Sequence, residues 1–420
     1  MPERLEIHDL APLGDGIHRA GRERIYVDRT LPGDVVEAKI QKPAGGIVRA
    51  DVLRLLEASP HRVSAPCPHY DTCGGCTLQH AREDFYRAWK IETVRMALAR
   101  QHLDPASWAE PIFLPEGKRR RATFAAFKKK GQVTLGYFRR RSHSVADIAS
   151  CLIAAPAVMD MRARLAKGLA PILADGKPAD VFVQVVNSLC DVAITGAVGQ
   201  KGRPDLGVYE AAAELAHSLG LARISWRSKD YSEPEILIER TPVTARFGLL
   251  DVALPPLAFL QPTEAGETAL VRAVMSGLPE RGVFADLYSG CGTFSGAMLA
   301  RGSVDAFDSI EPAVRALDRA KGPHPLRAQR RDLFRQPLDA DESKRYDAIV
   351  FDPPRAGAED QAKALAASAV PRLVAVSCNP VTFARDARIL VEGGYRLGSV
   401  QIVDQFTWSH HVELVAQFSR

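Results

Sequence analysis

From about residue 256 the chain alternates short apolar runs with helical segments, and few architectures accommodate that rhythm. Residues 283–288, 306–310, 348–351 and 373–377 each read as a short buried strand, and each is followed by a helical pattern. Strand–helix alternation with near-continuous apolar strands is the signature of an α/β fold, a doubly wound parallel sheet covered on both faces. In open sheets of this kind, ligands bind outside the carboxyl ends of the strands. Chemistry is therefore to be sought in the residues that follow each strand.

Four such positions carry reactive or binding groups. Residues 286–295 read DLYSGCGTFS, where Gly290 and Gly292 let backbone come close to a ligand. The full G-x-G-x-x-G spacing of a dinucleotide site is missing, which points toward an adenosyl ligand without phosphates. Glu311 closes the next strand, where a carboxylate can hold ribose hydroxyls. Asp352 opens the segment DPPR, and Cys378 lies in SCNP. Neighbouring strands would set Asp352 and Cys378 side by side. A cysteine before Asn-Pro at a strand end suits a nucleophile better than an inert core thiol. The last strand, HVELVAQF over 411–418, holds Glu413 between apolar neighbours. On residues alone this is either a solvated position of an edge strand or a partly buried carboxylate suited to proton abstraction.

The upstream half is built differently. Seven cysteines, an odd number, do not suggest a disulfide framework. Cys67, Cys73 and Cys76 are spaced C-x5-C-x2-C, and Cys151 ends HSVADIASC. Four thiolates suit a structural zinc or an iron–sulfur cluster; three close cysteines plus a remote one lean toward iron–sulfur. Cys190 and Cys291 read as core or turn residues. Residues 3–57 show five short strands, fitting a small oligonucleotide-binding-type barrel, with a plain SH3-like module as the alternative. Residues 82–102 have a helical pattern. The region 118–255 reads mainly as strands (122–127, 133–138, 181–186, 236–238), interrupted by a helix around 209–219.

At 420 residues the chain is long enough for two or three domains. No apolar run approaches the roughly 18–20 residues of a membrane helix, and residues 1–10 show no signal-peptide core, so a cytoplasmic address is expected. Net charge is only +5, yet residues 117–141 hold ten basic and no acidic residues. That run is a candidate nucleic-acid footprint, interleaved with Phe124, Phe127, Tyr137 and Phe138.

Taken together, the four-cysteine pattern, DPPR, SCNP and the terminal HVE, in this order, resemble the bacterial 5-methyluridine RNA methyltransferases, in the iron–sulfur branch that acts on 23S ribosomal RNA. The resemblance covers essentially the whole chain. It implies a TRAM/OB-like RNA-binding barrel over 1–58, and a β-rich central domain over 59–80 and 117–255 with the cysteine cluster and basic patch. It implies a Rossmann-like S-adenosylmethionine (SAM) methyltransferase domain over 81–116 and 256–420. By the same resemblance Cys67, Cys73, Cys76 and Cys151 ligate a [4Fe-4S] cluster. Gln261, Tyr288, Glu311 and Asp352 contact SAM, Cys378 is the nucleophile and Glu413 the general base. The implied product is 5-methyluridine in 23S ribosomal RNA, made through a covalent Cys378–C6 adduct by a monomer with no membrane partner.

Two positions depart from the family pattern. Thr263 replaces an Asn two residues after Gln261, and Thr407-Trp408-Ser409 replaces Pro-His-Thr, with Trp408 free to stack on a base. The alternatives are the same chemistry on tRNA, or a non-catalytic iron–sulfur RNA-binding protein, which leaves Cys378 and Glu413 without a role. A 5-methylcytosine enzyme calls for a second cysteine in the DPP segment, where Arg355 stands instead. An exocyclic-amine methylase calls for an aromatic there.

Overall fold

The computed structural model describes residues 2–41 and 46–420; residue 1 and residues 42–45, both within the 1–58 segment expected to form a barrel, lie outside the described residues. The N-terminal strands are β1 (Glu3–Glu6), β2 (Asp9–Leu10), β3 (Gly16–Ala20), β4 (Glu23–Val27), β5 (Val35–Gln41) and β6 (Arg49–Glu57). They form one sheet in the order β1-β5-β6-β4-β3-β2, six strands where five were expected. β1 and β2 are two residues apart in the chain yet occupy opposite ends of that order. One length of chain therefore bridges both edges, and the sheet curls around Leu5, Ile7, Ile25, Val27 and Val36.

Helix α1 (Glu83–Arg100) follows, with two short strands, β7 (Ser107–Trp108) and β8 (Ile112–Phe113). The middle of the chain forms β9 (Arg121–Lys129), β10 (Gln132–Phe138), β11 (Val145–Asp147), α2 (Pro156–Gly168), β12 (Pro178–Val186), β13 (Leu189–Gly196), α3 (Leu206–Leu219), β14 (Arg223–Arg227) and β15 (Glu235–Glu239). Its seven strands are ordered β11-β10-β9-β12-β13-β14-β15. Helix α2 was not anticipated in a region read as mostly strand. Pro156 sits in its first turn, and Val158, Met161, Arg162 and Leu165 are buried at helical spacing. An arginine inside that stripe hides the period. A hairpin of β16 (Thr244–Phe247) and β17 (Leu250–Ala253) leads onward.

The remaining elements are α4 (Glu264–Ser276), β18 (Gly282–Leu287), α5 (Ser295–Met298), β19 (Gly302–Asp308), α6 (Glu311–Ala320), β20 (Leu326–Arg330), α7 (Ala340–Ser343), β21 (Ala348–Phe351), α8 (Glu359–Ala366), β22 (Arg372–Ser377), α9 (Pro380–Glu392), β23 (Arg396–Asp404) and β24 (Glu413–Ser419). The sheet order is β20-β19-β18-β21-β22-β24-β23-β7, with β8 also on β23. β18 to β22 are mutually parallel, as the α/β reading requires. β24 is antiparallel to both of its neighbours, so the sheet is mixed rather than wholly parallel. The cause is the short 405–412 connection, which turns the chain straight back where a parallel strand needs a long crossover. β24 is consequently an interior strand, and the edge-strand reading of Glu413 is corrected.

Each face of this sheet is covered. Leu270, Val274, Met298 and Leu317 from α4, α5 and α6 fill one side. Val94 and Leu98 of α1 join Leu365 of α8 and Phe383 and Leu390 of α9 on the other. Segment 83–113 thus packs with the C-terminal sheet although the central sheet intervenes in the chain. Among the described residues, no helix is long and apolar enough to cross a membrane.

Candidate active site

Register brings the reactive groups together. Ser377 pairs with Leu414 across β22 and β24, so the next residues outward, Cys378 and Glu413, stand opposite each other at the strand ends. Phe351 of β21 lies beside Ala375 of β22, which brings Asp352 to the same end of the sheet. Cys378 is half-buried and Glu413 is buried. Burial, then the Asp352 charge, pushes the Glu413 carboxyl up to about 8, against the pull of the Gln405 amide, Arg121 and Arg355. Burial alone takes Asp352 to about 7. The Cys378 thiol rises to about 11 through burial and the Glu413 and Asp352 charges, with Arg355 acting in the opposite sense. Two acids titrating near neutrality beside a thiol form an arrangement rare outside functional sites.

Arg355 is aimed by a residue the sequence reading did not single out. Its Nη2 donates to His411 Nε2 at 2.8 Å. Burial, with His410, Arg355 and Lys90 close by, depresses the His411 imidazole to about 3, so it stays a neutral acceptor. Gln405 was also missed. Its Nε2 donates to Gln261 Oε1 at 2.7 Å, tying the loop before Glu413 to the segment before α4. Gln261 is therefore buried beside the crevice, and Arg120 Nε holds its carbonyl at 3.0 Å. The Thr263 departure has a structural reason: its Oγ1 accepts the Gly266 N–H at 2.9 Å, capping α4.

Beyond β18 the backbone is strained. Tyr288 takes φ 63°, a conformation uncommon outside glycine, and Gly290 and Gly292 follow at 53° and 92°. Asp308 holds this turn: its Oδ2 accepts the Gly290 N–H and its Oδ1 the Ile310 N–H, both at 2.8 Å. Asp286 is fully buried, takes a 2.5 Å hydrogen bond from Ser295 Oγ, and is raised to about 7 by burial and by Asp352. Asp286 Oδ1, Ser289 Oγ and the Tyr288 hydroxyl are buried without partners. Unpartnered buried polar atoms are costly, and three of them around a strained turn form a cradle for a polar ligand. Glu311 lies at the start of α6, one strand further out. It is ion-paired to Arg315 and to Arg330 (2.9 Å), and the Arg315 hydrogen bond holds its carboxyl below the usual range. The structure thus brings Asp352, Cys378 and Glu413 to one end of the sheet with Gln261 tied to them through Gln405, places Tyr288 on the adjoining turn, and sets Glu311 apart with its charge compensated.

The four cysteines line one cavity of about 440 Å³, which Arg355, His410 and His411 also line. All four thiols are free. His69 Nε2 accepts the Ala149 N–H at 3.1 Å and so binds the 67–76 loop to the loop bearing Cys151. Gly75 N–H points at Cys73 Sγ (3.3 Å) and Ala154 N–H at Cys151 Sγ (3.5 Å). A Cβ on Gly74 would meet the Phe138 carbonyl at 3.0 Å, which explains the glycine there. Burial pushes Cys76 up to about 12 and raises Cys73 as well. Among the described residues, no three or more His, Cys, Asp or Glu side chains are grouped as they would be around one metal ion. Cys190 and Cys291 are core residues.

Much of the basic run is internal. Arg120 pairs with Glu267 at 2.5 Å, and Arg121 lies over the Phe259 ring, 4.4 Å from its centre. Arg140 pairs with Asp28 and Arg141 reaches Asp15 (3.3 Å), fastening the central region to the curled sheet, while Arg49 of β6 bonds Asp15 (3.0 Å) from within the N-terminal segment. Phe124 is buried against Tyr137; Phe127 and Phe138 are exposed, as are Lys118, Lys129, Lys130 and Arg139. Trp408, with φ 56°, is half-buried in the loop between β23 and β24.

The sequence profile of the tRNA (uracil-5-)-methyltransferase family matches residues 327–419. A protein of Mesorhizobium japonicum named as an RNA methyltransferase is 39% identical, covering 99% of this chain and 98% of its own length. The 23S rRNA (uracil(1939)-C(5))-methyltransferase RlmD of Pseudomonas putida is 31% identical, covering 99% and 93%. The crystal structure of the Pyrococcus abyssi tRNA (uracil-54, C5)-methyltransferase in complex with S-adenosyl-L-homocysteine superposes with a TM-score of 0.77 over 99% of both chains. It shares 24% identity and so speaks to the fold.

Proposed function

Starting from the fact that this chain belongs to the SAM-dependent RNA (uracil-C5)-methyltransferases, we propose that it methylates C5 of a uridine in 23S ribosomal RNA through a covalent adduct at Cys378. One observation carries the mechanism: Cys378 and Glu413 oppose each other across β22 and β24, with Asp352 and Arg355 beside them. Uracil C5 is a weak nucleophile. Addition of the Cys378 thiolate to C6 converts C5–C4–O4 into an enolate, and C5 then takes up the methyl group. SAM, when bound, supplies that methyl on a positively charged sulfur. Glu413, ionised, removes the C5 proton, and the returning electron pair restores the C5–C6 double bond as the C6–S bond breaks and Cys378 is released.

Charge at the site supports these roles. With Asp352 and Glu413 near 7 and 8, the crevice at neutral pH does not carry two full negative charges against a forming thiolate. Arg355, fixed by His411, supplies the opposing positive charge. The orphaned atoms of Asp286, Tyr288 and Ser289 suit the SAM cradle, with Gln261 and Asp352 on its crevice side. Glu311 would take ribose hydroxyls by exchanging its arginine partners.

Ribosomal RNA is favoured by the Pseudomonas relative, whose 31% identity runs the length of this chain. The tRNA alternative rests on the family profile and on a fold-level likeness. Cys67, Cys73, Cys76 and Cys151 would hold a [4Fe-4S] cluster: four free thiols on one cavity, two with N–H groups aimed at sulfur, are the donor set such a cluster takes. In this reading residues 1–58 are a TRAM-type RNA-binding barrel, 59–80 with 117–255 the cluster-bearing domain, and 81–116 with 256–420 the methyltransferase domain of a cytoplasmic monomer.

The deciding experiment sequences 5-methyluridine in 23S rRNA and tRNA from cells lacking this protein. Loss of one 23S site, restored by the wild type and not by Cys378→Ala, is expected. Loss confined to tRNA overturns the ribosomal target, and restoration by Cys378→Ala overturns the adduct. Anaerobic purification tests the cluster: a brown protein absorbing near ~400 nm is expected, whereas a colourless, zinc-loaded one reverses the assignment.

A further inference from the structure

A buried ammonium that the reaction does not consume stands behind the crevice. Lys90, on α1, is wholly buried and bonds a residue 314 positions away. Its Nζ donates to Asp404 Oδ1 at 2.9 Å, to the Phe406 carbonyl at 3.4 Å and to the His411 carbonyl. An ammonium has three donors, and these three acceptors match them. Two of the acceptors are carbonyls near opposite ends of the 405–412 loop. Tyr86, one turn earlier on α1, donates to the other Asp404 oxygen and accepts the Trp408 N–H at 3.1 Å. From the far side, the Thr77 and Leu78 N–H groups bond the Trp408 carbonyl at 2.8 and 3.0 Å. The left-handed Trp408 backbone is thus held from both sides.

Asp404 ends β23, and Glu413 begins β24 two residues beyond the His411 carbonyl. We propose that Lys90 and Tyr86 are positioning residues for methyl transfer: they draw the two ends of the 405–412 loop together, and this fixes where β24 begins and holds the Glu413 carboxyl opposite Cys378. The same grip orients His411, which aims Arg355. An apolar pair in place of both charges would fill this space at a cost confined to the loop carbonyls left without a donor, since buried ion pairs are seldom better than a good hydrophobic replacement. It could not bond carbonyls near both ends of a loop. This inference rests on reading Glu413 as the base.

Three variants test it in the full-length enzyme: Lys90→Met/Asp404→Asn, which removes both buried charges together, Tyr86→Phe, and Glu413→Gln as the reference. The readouts are kcat, KM, the pH profile of kcat, SAM affinity by calorimetry, and Tm. For the double variant the expectation is SAM affinity within about twofold of wild type and kcat lower by about 10- to 100-fold, because sub-ångström misplacement of a reacting group is that costly. The midpoint of its pH profile should also move. Asp352, Arg121, Arg355 and Gln405 face Glu413 and are untouched, but the Lys90 charge also reaches Glu413. The decisive midpoint is therefore that of Tyr86→Phe, which removes no charge: a moved midpoint there reports a moved Glu413. Tyr86→Phe should lower kcat about three- to tenfold in a protein that stays folded, its Tm reduced by the orphaned Asp404 oxygen and Trp408 N–H.

Wild-type kcat and pH profile in the double variant and in Tyr86→Phe overturn the inference. So does an unfolded double variant combined with a wild-type Tyr86→Phe. If Glu413→Gln itself retains the wild-type rate, the base assignment fails. If it is inactive while the other two match wild type, only the positioning role fails.

Discussion

Asp191 and Arg223 face each other across β13 and β14, both almost wholly buried, in a two-pronged ion pair at 3.0 and 2.5 Å. The remaining Arg223 nitrogen bonds the Leu254 carbonyl (2.8 Å) and Glu239 (3.2 Å). In the neighbouring nine-stranded sheet Asp286 and Glu413 are just as inaccessible and Asp352 half so. Among the described residues none of the three has an ion-pair partner. Burial raises them instead, to about 7, 7 and 8, and the Asp352 charge adds to the rise of Asp286 and Glu413. One sheet resolves its buried charge by complementarity, and the other keeps it unresolved at the strand ends where a reaction takes place. A satisfied pair can only hold a fold together. Acids that titrate near neutrality beside a thiol can exchange protons at working pH.

The sharpest way to break this contrast is to remove one member from each region. Cys378→Ala should reduce methyl transfer by at least about 10³-fold, with SAM affinity within twofold, since loss of a covalent nucleophile leaves only binding and electrostatics. Arg223→Met should leave kcat per folded molecule unchanged and destabilise the protein by about 3–5 kcal/mol in denaturant melts, because Asp191 is left buried and unpaired. If Arg223→Met instead lowered kcat in the folded fraction, the two regions would not be separable.

Glu413→Gln should lower kcat by about 10²–10⁴-fold and still yield a more stable protein at alkaline pH. Folded Glu413 binds its proton more tightly than the unfolded chain does. Its contribution is therefore complete below the ordinary value of 4.5 and is lost as pH rises through about 8. At pH 9 the variant should exceed wild type by on the order of 2–4 kcal/mol, and the gap should close by pH 5. Equal stability at both pH values would mean that Glu413 is not held protonated by its surroundings.

The same shift predicts the rate profile. The base and the thiol must both be ionised, so kcat/KM should rise steeply with pH up to a Glu413 midpoint near 8 and then, about tenfold per unit, on toward the Cys378 value of about 11. The Asp352 charge raises Glu413, so Asp352→Asn should move that midpoint down by about one unit. An unmoved midpoint would detach the two carboxyls from each other.

The sequence made legible what is local in the chain. Strand-end positions of Asp352 and Cys378 follow from apolar runs that stop at Pro or Asn-Pro, and no partner is needed to see them. Glu413 was ambiguous because an isolated HVELVAQF does not say whether its strand is an edge; the 405–412 turnaround decides that. Lys90 was invisible for a similar reason. A lysine in an amphipathic helix reads as a solvated position, and only Asp404, 314 residues on, makes it a buried one. Glu311 was read as closing a strand; the strand ends at Asp308 and Glu311 opens α6, and its compensation by Arg315 and Arg330 requires the fold. The arginine inside α2 likewise conceals a helix, because Arg162 is buried by bonding the Leu135 carbonyl at 2.6 Å, far from it in sequence.

The basic run carries the contrast between paired and unpaired charge down to its smallest measurable effect. Arg140 and Arg141 are spent on Asp28 and Asp15, so neutralising them loosens the attachment of the curled sheet. Lys118 and Arg139 are exposed, and Arg139 bridges to Cys73 beside the cavity shared with the crevice. Each phosphate contact contributes close to one unit of salt dependence. Lys118→Gln/Arg139→Gln should therefore lower the slope of log affinity against log salt by about 1–2, weaken RNA binding a few-fold, and leave Tm and kcat at saturating RNA unchanged. Arg140→Gln should do the reverse, lowering Tm with the salt slope intact. If the exposed pair changed Tm and Arg140→Gln changed the slope, the faces of this run would be assigned the wrong way round, and the RNA path would lie against the curled sheet instead of along the cysteine-lined cavity.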